Sequence, residues 1–286
     1  MEGMVKLKFP VFAVVGEKNS GKTRLIEALT RLLEEKGVRV GVVKHIPHKD
    51  FTVDRDGKDS WRYAKAGAKT VFCVSPNEIT VIRKLKDADE KFENFLRFTA
   101  EDEFDCLFVE GFKGKLKDYE DIPKIVTAKN FDEALKLLTQ LKNVFCVVSS
   151  SPPKTENLKI LSLSFNETEK ILKLIEEEIE VYKILRRLPS LDCGFCGFKS
   201  CFEHAKAIYE KKSTLEKCPI IGGEKKISLK IGDEEVPLNP FIQNLFKNIV
   251  LAMVSSLKGV NLKNKKTITV TLRSIESVSY THLTLP

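Results

Sequence analysis

Two groups of residues in this sequence have the types and spacing that do chemistry. The first is Gly16-Glu17-Lys18-Asn19-Ser20-Gly21-Lys22-Thr23, a match to G-x-x-x-x-G-K-[ST]. Its glycines, Gly16 and Gly21, permit a tight turn whose backbone N–H groups converge on phosphate oxygens, and a helix starting there adds partial positive charge. Lys22 can neutralise β- and γ-phosphate oxygens, and the Thr23 hydroxyl can coordinate Mg²⁺. A carboxylate at the end of another apolar run, Glu110 in Cys106-Leu107-Phe108-Val109-Glu110-Gly111, can complete the ion's shell directly or through water. Lys22, Thr23 and Glu110 are therefore the candidate catalytic set. The choice of base is poorly written: Thr127-Ala128-Lys129-Asn130-Phe131-Asp132 approaches the guanine-reading [NT]-K-x-D pattern with the wrong spacing. GTP over ATP does not follow from these residues.

The second group is Cys193, Cys196, Cys201 and Cys218, spaced C-x2-C-x4-C-x16-C. Three thiolates in so short a stretch can hold three corners of a cubane, and a fourth arriving after a helix closes it. Gly194 and Gly197 let backbone N–H groups approach the sulfides, and Phe195 and Phe198 can exclude water. Zinc is the rival, although its structural sites more often pair C-x2-C with a second close pair. The expected intervening helix, 202–212, places His204 on its surface rather than among the ligands. Cys73, Cys106 and Cys146 sit singly in apolar runs and read as inert buried thiols.

Between these groups lie His45 and His48, leaving a second apolar run, and then Asp54, Lys58, Asp59 and Ser60. Histidines at this spacing can bind a metal or poise an anionic substrate, and equally can face water in a polar loop.

The elements that must position these groups follow from apolar periodicity. Residues 9–15 predict a strand ending in Gly16, and 23–36 predict a helix on Leu25, Ile26, Leu29, Leu32 and Leu33, stopped by Gly37. Residues 38–43 predict a strand buried on both sheet faces. Further strands are expected at 70–74, 79–83, 106–109, 124–127, 144–148 and 158–163, with helices at 89–98 and 131–141. This alternation predicts an α/β doubly wound, mostly parallel sheet, a P-loop nucleoside triphosphatase domain over residues 1–165. A long charged linker helix follows at 166–187, then the cysteine module at 188–223. A small α+β region at 224–277 carries a hairpin about Gly232-Asp233, a helix at 241–257 and a strand at 267–273. Residues 278–286, VSYTHLTLP, are unlike the Lys/Glu-rich chain before them and read as a non-native tail.

Composition bounds the class. The 286 residues are 42% apolar and 31% charged, with net charge +8 from interleaved acids and bases. That pattern gives no nucleic-acid groove. No apolar run nears the ~18 residues of a membrane span, and no signal peptide is visible, so a cytoplasmic location is expected.

The phosphate loop, the KHIPHKD segment, DRDGKDSWRYAKAGA and VEGFK occur in an order that resembles the molybdopterin-guanine dinucleotide biosynthesis protein B family (MobB), over residues 9–165. The resemblance implies a GTPase-like fold that binds GTP and Mg²⁺, hydrolyses GTP weakly, and assists the MobA-like guanylyltransferase that attaches GMP to molybdopterin. Carried onto this chain, Gly16, Lys18, Asn19, Ser20, Gly21, Lys22 and Thr23 hold phosphate. Thr23 and Glu110 hold Mg²⁺, and His45, His48, Asp54, Lys58, Asp59 and Ser60 touch nucleotide or pterin. A homodimer is a candidate assembly. Residues 190–223 resemble the [4Fe-4S] domain of corrinoid iron–sulfur proteins and of an Rnf-type electron-transport subunit, which implies a [4Fe-4S] cluster on the four cysteines. Two other functions compete: a small-molecule kinase, which would need an arginine-rich lid and has only Arg83 and Arg97 nearby, and a nucleotide-gated electron carrier.

Overall fold

The computed structural model describes residues 7–48, 51–83, 104–117, 119–151, 160–223, 227–260, 262 and 267–271. Five apolar residues, Val11–Val15, form β1, and all five are buried. Alternation sends Val11, Ala13 and Val15 into one apolar cluster and Phe12 and Val14 into another. β1 is therefore the middle of a sheet covered on both sides, which is what a continuous apolar run requires.

The strands β2 (Val40–Lys44), β5 (Cys106–Glu110), β6 (Lys124–Ala128), β7 (Val144–Ser149) and β8 (Leu161–Ser164) complete that sheet. Its order is β2-β5-β1-β6-β7-β8 and every pairing is parallel. The chain runs outward from β1 to β2, returns at β5, and then crosses to β6. The order thus reverses at β1, and the carboxyl ends of β5, β1 and β6 open the crevice where such sheets take ligands.

Helix α1 (Lys22–Glu34) buries Leu25, Ile26, Leu29 and Leu33 against the Phe12 face. Gly37, at φ +74°, ends it: its N–H donates to Glu34 O, and Val38 N–H donates to Leu33 O, a Schellman closure. The opposite face receives the short α3 (Lys113–Leu116) through Leu116, and α4 (Phe131–Leu138) through Ala134 and Leu137. Asn130 caps α4 by accepting from Glu133 N–H at 2.9 Å.

Helix α5 (Thr168–Leu185) follows a 3₁₀ turn at Phe165–Glu167. Its Ile171, Leu172, Ile175 and Ile179 join the Phe12 face, while Val181 enters a separate cluster with Leu188, Cys201, Ala205 and Cys218. One helix is thus wall to both the sheet and the cysteine region. Helix α6 (Cys201–Tyr209) packs against it. Beyond lie an antiparallel hairpin, β9 (Leu229–Ile231) with β10 (Glu234–Val236), and helix α7 (Pro240–Ser255).

Several sequence expectations are corrected. β2 is not buried on both faces: it is the sheet's edge strand, and Val42 is 50% exposed. Among the described residues, β3 (Thr70–Val74) and β4 (Ile79–Arg83) pair only with each other, as an antiparallel hairpin outside the parallel sheet, with α2 (Asp59–Lys65) leading into it. Cys73 on that hairpin is half-buried, whereas Cys106 and Cys146 are sealed in the core, where burial pushes both thiols up to about 12. The described part of 267–273, residues 267–271, forms no strand. The helix expected at 89–98, Arg97 and the 278–286 tail lie outside the described residues.

Candidate functional site

The loop that leaves β1 is pinned from below. Ser20 is 4% exposed, and its Oγ lies 2.7 Å from Thr127 Oγ1 at the end of β6. A Cβ on Gly16 would lie 2.3 Å from Ser20 Oγ and 2.3 Å from the Thr127 carbonyl oxygen, so only glycine lets the loop pass β6 this closely. Asn19 and Gly21 take positive φ, 61° and 91°. Gly21 is the residue before α1, and a Cβ there would lie 2.5 Å from the ring tip of Phe165. The turn is thus fixed on two sides by packing. Lys18 and Asn19 are exposed on its crest.

Lys22 Nζ donates to the carbonyl oxygens of Gly16, at 3.0 Å, and Glu17, at 2.7 Å, so the ammonium lies across the loop. Burial lowers its pKa, against the opposing pull of Glu110, Glu17 and Glu133. One residue on, Thr23 Oγ1 donates to Glu110 Oε1 at 3.1 Å. Lys44 Nζ lies 3.6 Å from the same oxygen. The parallel register explains this: Val14 and Lys44 both stand opposite Glu110 on its two neighbouring strands. Lys22, Thr23 and Glu110 therefore meet at one carboxyl-end crevice. Asp105, at the other end of β5, is held by Arg39, whose Nε lies 3.1 Å from Oδ2.

The remaining expected residues divide. His45 stays beside the site: its N–H donates to Glu110 O at 3.0 Å, and its ring lies on Phe112 at 4.3 Å between centroids. His48 is exposed. Asp54 Oδ1 accepts from Ser60 Oγ at 2.9 Å and from Arg55 N–H at 2.9 Å, while its Oδ2 is buried without a hydrogen-bond partner. Lys58 precedes α2, and Asp59 lies 3.6 Å from Arg62. Among the described residues, the hydrogen bonds and ion pairs of Asp54, Lys58, Asp59 and Ser60 close within residues 52–62. They do not tie this segment to the phosphate loop. Sequence reasoning missed Lys44 and Phe165. Lys44 was legible as the cation closing the second apolar run, but Phe165 carried no signal, because its contact with Gly21 spans the whole domain.

In the cysteine region, positive φ at Asp192, Gly194 and Gly197 winds the segment that carries Cys193 and Cys196, both half-buried. Gly197 N–H donates to Gly194 O at 2.9 Å, closing a turn between the two thiols. Cys201 opens α6, its N–H donating to Asp192 Oδ1 at 2.7 Å, and Cys218 follows the 3₁₀ turn Leu215–Lys217. These two are buried in one cluster, and burial raises the Cys201 pKa. Among the described residues no three His, Cys, Asp or Glu side chains already converge as a metal nest. The donor set nevertheless fits a thiophilic group: all four thiols are free, two are dry, and two ride on glycine turns. His204 is not on the helix surface as expected. It is 1% exposed, stacked on Phe198 at 4.7 Å, with Nε2 3.1 Å from both Ser213 Oγ and Thr214 O.

No helix among the described residues is long and apolar enough to cross a membrane. Comparison with known proteins finds separate matches for two stretches of the chain. Residues 188–220 match the family described as "Putative Fe-S cluster". A "Putative molybdopterin-guanine dinucleotide biosynthesis adapter protein" of Methanocaldococcus jannaschii is 29% identical over 261 residues, 91% of this chain and 96% of that one. The "Molybdopterin-guanine dinucleotide biosynthesis adapter protein" of Escherichia coli is 30% identical over 174 residues, 60% of this chain and 94% of that one. The solved structure of Bacillus subtilis MobB is 27% identical, covers 59% of this chain and 98% of that one, and superposes with a TM-score of 0.46. Residues 11–150 match the family model "MobB: Molybdopterin guanine dinucleotide synthesis protein B", and with a relative at 30% identity matched over 94% of its length, the chain belongs to the MobB family.

Proposed function

We propose that this protein is a GTP-binding accessory factor in the synthesis of molybdopterin guanine dinucleotide, with weak GTPase activity and a [4Fe-4S] cluster in its cysteine module. The observation that carries this reading is the meeting of Lys22, Thr23 and Glu110 at the mouth of a glycine turn, with Thr23 Oγ1 3.1 Å from Glu110 Oε1. When a nucleotide enters, its phosphate oxygens take the place of the Gly16 and Glu17 carbonyls at Lys22 Nζ, and loop N–H groups supply the remaining donors. A bound Mg²⁺ would supply charge neutralisation at the phosphates. Thr23 and Glu110 would hold it, and Lys44 balances part of the Glu110 charge. The segment with His45, His48, Asp54, Lys58 and Asp59 serves nucleotide or pterin.

The same reading gives the protein a MobA-like guanylyltransferase as partner and a cytoplasmic place of work. It also gives the chain its division: nucleotide domain 1–165, connecting helix 166–187, cluster module 188–223, α+β region 224–277 and tail 278–286. The exposed Phe72, Val74 and Ile79 of the β3–β4 hairpin offer a homodimer its apolar surface. Cys193, Cys196, Cys201 and Cys218 hold the cluster, with Phe195 and Phe198 limiting water around it.

Isothermal titration of the full chain with GTP and Mg²⁺ tests the nucleotide half. Binding is expected, and Lys22→Ala should weaken it by more than about tenfold, since it removes a charge-assisted contact. Unchanged affinity in that variant, or no binding to the wild-type chain, overturns the reading.

A further inference from the structure

The carboxyl-end crevice has two sides. Thr23, Glu110 and Lys44 stand on the β5–β2 side of β1, where the ion and terminal phosphate belong. On the other side, past β6 and β7, Phe165 leaves the end of β8 and reaches back until its ring tip meets Gly21. The Arg24 guanidinium lies over that ring, 5.6 Å from its centroid. Arg24 is exposed, and among the described residues its charge has no carboxylate partner. Long flexible cations on a first helical turn ordinarily extend into water, yet this one lies over an aromatic ring beside the phosphate loop. The guanidinium remains exposed.

We propose that Arg24, held on Phe165, is the platform on which the purine base of the bound nucleotide stacks. The inference rests on the nucleotide site described above and adds the part of the ligand that the phosphate loop does not touch. A triphosphate whose ion end is fixed at Thr23 and Glu110 must carry its nucleoside away from them, toward the first turn of α1 and the ends of β6 to β8. A guanidinium is planar and weakly hydrated, so it stacks on a base face as an aromatic ring does. Phe165 is a positioning residue here: it keeps the plane of Arg24 from rotating into solvent. Every base has such a face, so the platform supplies affinity for purine nucleotides and leaves guanine choice to other groups.

The test compares GTP with inorganic tripolyphosphate, each with Mg²⁺, by isothermal titration of the full chain. Arg24→Ala and Arg24→Lys are the variants; both sit at an exposed position, and the second keeps the charge while losing the plane. Both should weaken GTP about tenfold, the scale of one stacking contact, and leave tripolyphosphate unchanged. If tripolyphosphate weakens in parallel, Arg24 is a phosphate ligand and the proposal falls. It falls as well if Arg24→Lys restores GTP binding, or if neither variant moves it. A wild-type chain that binds neither probe overturns the nucleotide site itself, a result distinct from one in which both probes bind and the variants behave as wild type.

Discussion

Glu110 shows how much one side chain depends on strand register. It receives Thr23 Oγ1 at 3.1 Å because β5 lies parallel between β1 and β2, with Val14 and Lys44 both opposite it. Glu110→Gln keeps the shape and removes the charge. Its expected effect is a loss of the Mg²⁺-dependent part of GTP affinity with the Mg²⁺-free part intact, read by titration with and without EDTA; equal losses in both would deny Glu110 a role at the ion. Asp105, five residues away at the opposite edge, acts on stability. Hydrogen bonds from Arg39 hold its pKa below the ordinary 3.8, against burial, with the Arg186 charge adding to the effect. A carboxylate depressed on folding stabilises the fold at neutral pH, and that stabilisation is lost as pH falls below 3.8 toward the folded value. Asp105→Asn should therefore be less stable than wild type at pH 7 by chemical denaturation, with the gap closing in acid. A gap that persists at pH 2 would place the effect in packing instead.

The elements were legible where one principle decided them and obscure where two competed. Central strands such as β1 and β6 announce themselves by unbroken apolar runs, and α1 by its spacing and the Gly37 stop. β2 has the same composition as the central strands, yet it lies at the edge, because periodicity reports what a strand tolerates rather than who its neighbours are. Residues 70–74 and 79–83 are the strands the pattern predicts, but local pattern carries no pairing information, and they pair with each other as a hairpin. His204 was placed outside because polar residues usually face water. The stack with Phe198 and the contacts with Ser213 and Thr214 satisfy it inside instead. At the site, the phosphate loop was legible in eight residues, whereas Phe165 entered only through a contact across 144 positions from Gly21. Helix α5 is the element on which most depends. Ile175 is fully buried on its sheet-facing side, and Ile175→Ala should destabilise the fold by about 2–5 kcal/mol, measured by urea denaturation; a cost under about 1 kcal/mol would mean that α5 is not part of the sheet domain's core.

At the scale of the whole molecule, the chain carries two chemistries that share one helix. The candidate nucleotide site brings Lys22, Thr23 and Glu110 together at the carboxyl ends of β1 and β5. The cysteine module carries four thiols on α6, the turns around Gly194 and Gly197 and the 3₁₀ turn before Cys218, next to the far end of α5, where Val181 packs with Cys201 and Cys218. Among the described residues, Cys201 and Cys218 belong to a different packed cluster from the one α1 joins, so the two sites can be emptied one at a time. Cys196 is the thiol to change: it is half-buried on the Gly194–Gly197 turn, and its loss leaves the apolar contacts of Cys201 and Cys218 in place. In anaerobically purified protein, Cys196→Ser should strip bound iron and the visible absorption of a cluster while GTP affinity by titration stays within about twofold. Lys22→Ala should give the opposite pair of results. Zinc in place of iron in the wild-type protein would assign the module a structural metal and remove the cluster from the reading, leaving the nucleotide half untouched. Loss of nucleotide binding in Cys196→Ser would instead show that the module sets the loop through α5, since the sheet face of that helix and the Phe165 contact with Gly21 are the continuous packed route between them.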